Sequence, residues 1–338
     1  MKAMLLRKVS QIDAMPLELQ DWPYPQVGPN QVLVKVTTCG VCHTEIDEIE
    51  GRRQTKLPVI PGHEIVGRVA KLGSAATRFN AGDRVGIAWI YSSCGKCSLC
   101  QRGDENLCDQ FQGTGCDADG GYAEYTAVPE DFAYPIPTGF TDLEAAPLLC
   151  AGAIGYRALK LTGVQDGQTI GLYGFGASAH LVIQIAKYKF PNSRVFVFTR
   201  KRDDAPSQLA REKGADWVGI TGQASPMKLD CAIDTTPIGM PVREALRNLN
   251  KGGRLVINAI RKETPIPELD YTEHLWQEKE VKSVANITRR DVEEFLPLAA
   301  EIPIKPEITE FGLEEANQAL LGLKYGKYCG AGVLKISG

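Results

Sequence analysis

The sequence predicts a two-domain chain, one domain mostly antiparallel β and the other α/β with a parallel sheet. Three observations carry this expectation. Residues 1–150 read as short strands punctuated by glycine and proline. From there to residue 286, strands and helices alternate, the pattern of a parallel sheet covered by helices on both faces. The length of 338 residues fits two domains at roughly 150 residues each.

In the first domain, residues 31–38 alternate, with Val32, Val34 and Val36 on one side. Gly82-Asp83-Arg84-Val85-Gly86 reads as a turn feeding a strand, and Gly120-Gly121-Tyr122 precedes another at 123–128. Residues 145–161 are helix-like and lead into a turn at 163–168. The α/β domain then places strands at 169–173, 195–199, 217–220, 229–233, 254–257 and 281–284, and helices at 178–189, 207–213 and 241–250. After Asn286, helices at 290–300 and 313–323 and a strand at 332–336 are expected to return to the first domain. The expected domains are therefore 1–150 with 287–338, and 151–286.

Composition excludes some functions. A net charge of −3 gives no bulk attraction to nucleic acid or to anionic membrane. No apolar run reaches the ~18 residues of a membrane span. Arg7, Lys8, Gln11 and Asp13 interrupt any secretory core in residues 1–20. The expectation is a cytoplasmic protein without nucleic-acid or membrane partners. In a reducing compartment, clustered cysteines read as metal ligands before disulfides.

Cys94, Cys97, Cys100 and Cys108 lie in one short polar stretch with Gly95, Lys96, Gln101, Gly103 and Asp104. Four thiolates at this spacing can wrap one tetrahedral Zn2+ with little loop-closure cost. An iron–sulfur cluster and a disulfide pair are the rival readings. The stretch is expected to be a metal-knotted loop, neither strand nor helix. Four thiolates leave zinc no open position, so this site serves folding and the chemistry lies elsewhere.

Gly174-Phe175-Gly176-Ala177-Ser178-Ala179 follows the apolar strand 169–173 and opens a helix, the setting of a dinucleotide-binding turn. Gly174 permits the tight turn, Gly176 lets amides approach a pyrophosphate, and Ala179 allows close packing. At the end of the second strand, where NAD readers place a carboxylate, stand Thr199-Arg200-Lys201-Arg202. These cations suit a 2′-phosphate, so NADP(H) is favoured over NAD(H). A solvated charge run, partly neutralised by Asp203 and Asp204, is the alternative.

Cys42, His63 and Cys150 come from separate segments and could converge on a second zinc with one open position. An isolated cysteine such as Cys150 is also ordinary buried filler. Here the residues match a family. Cys42-His43-Thr44, then Gly62-His63-Glu64 with Gly67, Gly73 and Ala76, then Gly82-Asp83-Arg84-Val85, the four-cysteine loop, Cys150-Ala151-Gly152 and the nucleotide turn occur in order. Over essentially its whole length the chain resembles the zinc-dependent alcohol dehydrogenases of the medium-chain dehydrogenase/reductase superfamily.

That resemblance implies a GroES-like catalytic domain built from both chain ends, with a Rossmann domain inserted. It implies catalytic zinc on Cys42, His63 and Cys150, with Glu64 able to approach the metal and Glu45 orienting the histidine. Reversible hydride transfer between a primary or unhindered alcohol and a nicotinamide would pass through a zinc-bound alkoxide. Thr44 resembles the hydroxyl that relays the substrate proton, and His43 stands where the family meets the cofactor pyrophosphate. Trp89 and Tyr91 fall where the family lines its substrate pocket. Family members are usually homodimers or homotetramers, and the strand near 254–260 with segment 265–269 could extend the sheet across a two-fold axis.

Three positions depart from the family. Asp47 replaces the relay histidine and is a weaker type of base near neutrality. Gly330-Ala331 lacks the family's arginine, and Thr199-Arg200 replaces the acidic selector. The competing readings are a zinc-free quinone or enone reductase of the same superfamily and a non-catalytic nucleotide-binding protein.

Overall fold

The computed structural model describes residues 1–302 and 304–337. Its contacts divide the chain into two units, Met1–Cys150 with Ile287–Gly338, and Ala151–Asn286. The first unit begins with β1 (Lys2–Leu6), β2 (Leu17–Asp21), β3 (Gln31–Val41), α1 (His43–Ile49), β4 (Ile65–Leu72), β5 (Arg84–Ile87) and β6 (Ile90–Ser92). It continues through α2 (Ser98–Gln101), β7 (Gln112–Gly113), β8 (Tyr125–Pro129), β9 (Ala133–Pro135) and α3 (Asp142–Ala145).

β3 is the spine of this unit, pairing antiparallel with β4 and with β8. Its first half alternates, burying Val32, Val34 and Val36. From Thr38 to Val41 every position is buried, and a register shift between Val36 and Thr38 marks the change. That end of β3 delivers the chain to Cys42 and α1.

The second unit holds α4 (Ala151–Thr162), β10 (Thr169–Tyr173), α5 (Ala179–Lys189), β11 (Arg194–Thr199), α6 (Ala205–Glu212) and β12 (Trp217–Ile220). Then come β13 (Leu229–Asp234), α7 (Met240–Asn248), β14 (Leu249–Ile257), α8 (Tyr271–His274) and β15 (Glu280–Ser283). All neighbours in its sheet are parallel, in the order β12-β11-β10-β13-β14-β15. This is the doubly wound Rossmann order, which reverses between β10 and β13. All five residues of β10 are buried, as a strand covered on both faces requires. Tyr173 stacks on Phe198 with centroids 4.2 Å apart, and Trp217 meets Phe198 edge-on at 5.2 Å.

The chain then re-enters the first unit with α9 (Arg289–Glu301), β16 (Ile308–Gly312), α10 (Ala316–Lys324) and β17 (Ala331–Lys335). β17 pairs antiparallel with β3 and parallel with β16, completing the sheet order β16-β17-β3-β4-β5-β9.

Four expectations need correction. Residues 145–161 are not one helix: a 3₁₀ turn at Ala146–Leu149 precedes α4, and Cys150 breaks between them at φ −127°, ψ −75°. The four-cysteine loop contains a helical turn, α2, because Cys97 caps it by accepting the Cys100 amide. Residues 313–323 divide into a 3₁₀ turn, Leu313–Glu315, and α10. Residues 254–257 belong to β14, which lies inside the sheet between β13 and β15, so the sheet's edges are β12 and β15.

Candidate active site

Cys42 is the N-cap residue of α1, in extended conformation. Its backbone N–H donates to Glu45 Oε2 at 2.9 Å. The other oxygen of Glu45 stands 2.7 Å from His63 Nδ1. One fully buried carboxylate thus ties together two separate segments, the start of α1 and the turn before β4. Gly62 sets that turn at φ +100°, and a Cβ there would strike Tyr122 at 2.5 Å.

Cys42, His63, Glu64 and Cys150 each present a ligand atom within 4.8 Å of all the others. His63 is fully buried and its Nε2 has no hydrogen-bond partner. Nδ1 stands 2.7 Å from Glu45 Oε1, so the neutral imidazole protonated on Nδ1 offers its Nε2 lone pair to the cluster. The Cys150 thiol donating to Cys42, with His63 beside it, holds the Cys42 thiol well below its ordinary range. The same contact and burial push Cys150 up. Burial, then the Cys42 charge, pushes Glu64 well above the carboxylate range. Burial alone would lower His63, but Glu45 and Cys42 outweigh it and raise it. Sulfurs sharing a proton beside an orphaned imidazole nitrogen form a donor set that fits a zinc ion.

Thr44 is buried, its Oγ1 3.6 Å from Cys42 Sγ. Trp89 is buried and meets His63 edge-on at 5.0 Å. His43 is exposed at the first position of α1. Two expected site residues are not brought to the cluster. Asp47 is buried and accepts Arg52 Nε at 2.6 Å. Tyr91 points its hydroxyl to Gln31 Nε2 at 2.7 Å, at the opposite end of β3 from Cys42. Trp89 precedes β6, whereas Tyr91 lies within its irregular pairing with β7.

The second cluster gathers Cys94, Cys97, Cys100 and Cys108. Cys94 and Cys100 sulfurs are 3.9 Å apart, close to the ~3.8 Å that four sulfurs ~2.3 Å from one zinc would show. Amides of Cys97, Cys100 and Gln110 donate to Cys94, Cys97 and Cys108 sulfurs at 3.3–3.5 Å. Amides of Lys96 and Cys97 pull the Cys94 thiol down to about 6. The donor set fits a closed, structural zinc.

In the second unit, Gly174 leaves β10 at φ +84° and donates its N–H to the Phe198 carbonyl at 2.8 Å. A Cβ on Gly176 would meet nothing within 4 Å, so the turn faces open space ahead of the α5 N-terminus. Ala179 is buried. Asn258, just past β14, donates to Ser178 Oγ at 3.1 Å, and Lys262 bridges Asp234 Oδ2 and the Thr236 carbonyl. Thr199 turns inward: its hydroxyl is within 2.7 Å of the Lys201 carbonyl and of Ser207 Oγ. Arg200 lies just beyond it, exposed.

A family model described as the alcohol dehydrogenase GroES-like domain matches residues 28–138. The probable alcohol dehydrogenase AdhA of Mycobacterium tuberculosis is 43% identical over 342 residues, covering 99% of this chain and 97% of that protein. The chain belongs to the zinc-dependent alcohol dehydrogenases of the medium-chain superfamily. In structure this enzyme is similar to a CAD from Helicobacter pylori complexed with NADP(H), at 25% identity, TM-score 0.89 and 99% coverage of both chains. It is also similar to a cobalt- and zinc-bound thermostable alcohol dehydrogenase from Pyrobaculum aerophilum, at 25% identity, TM-score 0.88 and 99% coverage of both chains.

Proposed function

We propose that the chain is a zinc-dependent alcohol dehydrogenase and aldehyde reductase that holds two zinc ions and prefers NADP(H). The observation that carries the reading is the cluster of half-buried Cys42 with buried His63, Glu64 and Cys150, with Glu45 bound to the Cys42 amide and beside His63. When bound there, zinc supplies a Lewis acid with one open position, and the nicotinamide supplies or accepts hydride.

The chain's own residues do the rest. Cys42, His63 and Cys150 would hold the metal, and Glu64 stands within ligand reach. Thr44 keeps its hydroxyl beside the cluster, where it can pass a proton to or from the substrate oxygen. Asp47, clamped by Arg52, braces α1 and is a poor onward relay. Trp89 supplies an apolar wall that suits small alcohols and aldehydes. The turn at Gly174 and Gly176 and the α5 N-terminus would receive the pyrophosphate. Arg200 takes the 2′-phosphate, and the inward bonds of Thr199 fix its backbone. The protein works in the cytoplasm; among the described residues no helix is long and apolar enough to cross a membrane. The exposed edge β15 gives a surface for self-association.

The test is the initial rate of reduction of acetaldehyde, benzaldehyde and cinnamaldehyde by the zinc-replete enzyme with NADPH and with NADH. Turnover preferring NADPH, lost as a preference in Arg200→Ala, supports the reading. An unchanged preference in that variant sinks the Arg200 assignment, and no turnover with either cofactor sinks the function.

A further inference from the structure

Arg53 follows α1, with its side chain about a third exposed (34%). Its guanidinium lies over the Trp89 ring, 4.8 Å from the centre. Its Nε donates to the Cys116 sulfur at 3.1 Å. Trp89 in turn packs edge-on against His63. The order is imidazole, indole, guanidinium, all within the first unit. Trp89 thus separates the ligand imidazole from the cation by the width of one indole, the span that a substrate bridging the two would have to cover.

Among the described residues that cation makes one long ion pair. The Asp117 carboxylate is 3.9 Å from Nη2, beyond hydrogen-bond reach, and the same oxygen already accepts the Gly113 N–H at 2.7 Å. Cys116 is buried, and burial raises its thiol, so Arg53 meets a neutral sulfur. Glu48 is buried with neither oxygen hydrogen-bonded, and burial favours its neutral form as well. Among the described residues, Nη1 and Nη2 of Arg53 make no hydrogen bond. A guanidinium held flat on an indole keeps those groups available for a forked pair with a carboxylate.

The geometry points to Arg53 as a specificity residue for aldehydes and alcohols that carry a carboxylate at the end remote from the reacting carbon. This rests on the dehydrogenase reading of the same site and names its substrate class. Hydride and proton exchange only at the aldehyde or carbinol carbon and its oxygen, and the carboxylate changes no bond.

The experiment compares kcat/KM for 4-carboxybenzaldehyde and benzaldehyde in the native enzyme, Arg53→Met and Arg53→Lys. The native enzyme should favour the carboxylated aldehyde roughly tenfold through KM, less so as salt rises. Arg53→Met should bring the ratio to about one, and Arg53→Lys should fall between, since an ammonium lacks the fork. A native ratio of one or less, or a preference that survives in Arg53→Met, overturns the inference. If neither aldehyde is reduced, the dehydrogenase reading fails and benzoate binding decides the matter. Quenching of tryptophan fluorescence by benzoate in the native protein but not in Arg53→Met upholds the role of Arg53, and no quenching overturns it.

Discussion

Glu45 joins two metal-ligand candidates that the chain keeps far apart, and it does so with one buried carboxylate. Replacing it by glutamine keeps the size but removes the charge that faces His63 Nδ1. Zinc at the catalytic cluster should then bind about 10–100-fold more weakly. Competition with a chelator measures this directly, and retention of the four-cysteine zinc serves as the internal control. Equal release rates in Glu45→Gln and the native protein would refute the role. The thiol and imidazole candidates were legible in the sequence because zinc accepts few ligand types. Arg53 was not, because its partners Trp89 and Cys116 share no period or motif with it. Tyr91 was named only by resemblance, and in the structure its hydroxyl accepts from Gln31 Nε2 instead of facing the cluster.

The turn from β10 into α5 is the element most tightly specified by sequence. Gly174 has φ +84°, and a Cβ there would stand 2.8 Å from Thr235 Oγ1 and 2.9 Å from Thr236 Cγ2. Gly174→Ala should cost on the order of 1–3 kcal/mol and weaken NADPH binding, with zinc content unchanged. Thermal melts and a cofactor titration check both; native-like values would show that the turn yields. The parallel sheet was legible because its strands are buried apolar runs separated by turn residues. Helix ends were less so. In the run Ala145–Leu161, Pro147 before and Gly152 after the break at Cys150 are the sequence signal that a single-helix reading passes over. That break leaves the sulfur of Cys150 off the α4 repeat, among the other ligands.

At the scale of the molecule, the exposed edge β15 and acid stability give two tests. Val281 on β15 is 44% exposed, and Trp276 just before it is 53% exposed. Val281→Lys should shift the native oligomer toward monomer by sedimentation; an unchanged mass would place self-association elsewhere. Burial pushes the Asp216 carboxyl up, but Lys187 and the Val195 N–H pull it further down, so its folded pKa is depressed. Its stabilisation is therefore complete above about pH 4, the unfolded value, and is lost as pH falls through the folded value. Asp216→Asn should be less stable by under about 1 kcal/mol at pH 7, and the gap should close as pH falls through the folded value. A gap that persists in acid would rule out the ionised contact. Gly332 of β17 pairs with Val41, so β3 lacks this neighbour until the whole second unit has been synthesised. At about 5–20 residues per second, the wait is on the order of tens of seconds. The nascent chain therefore carries a contiguous nucleotide-binding fold that can close at once, beside thiols that emerged earlier and are not yet caged.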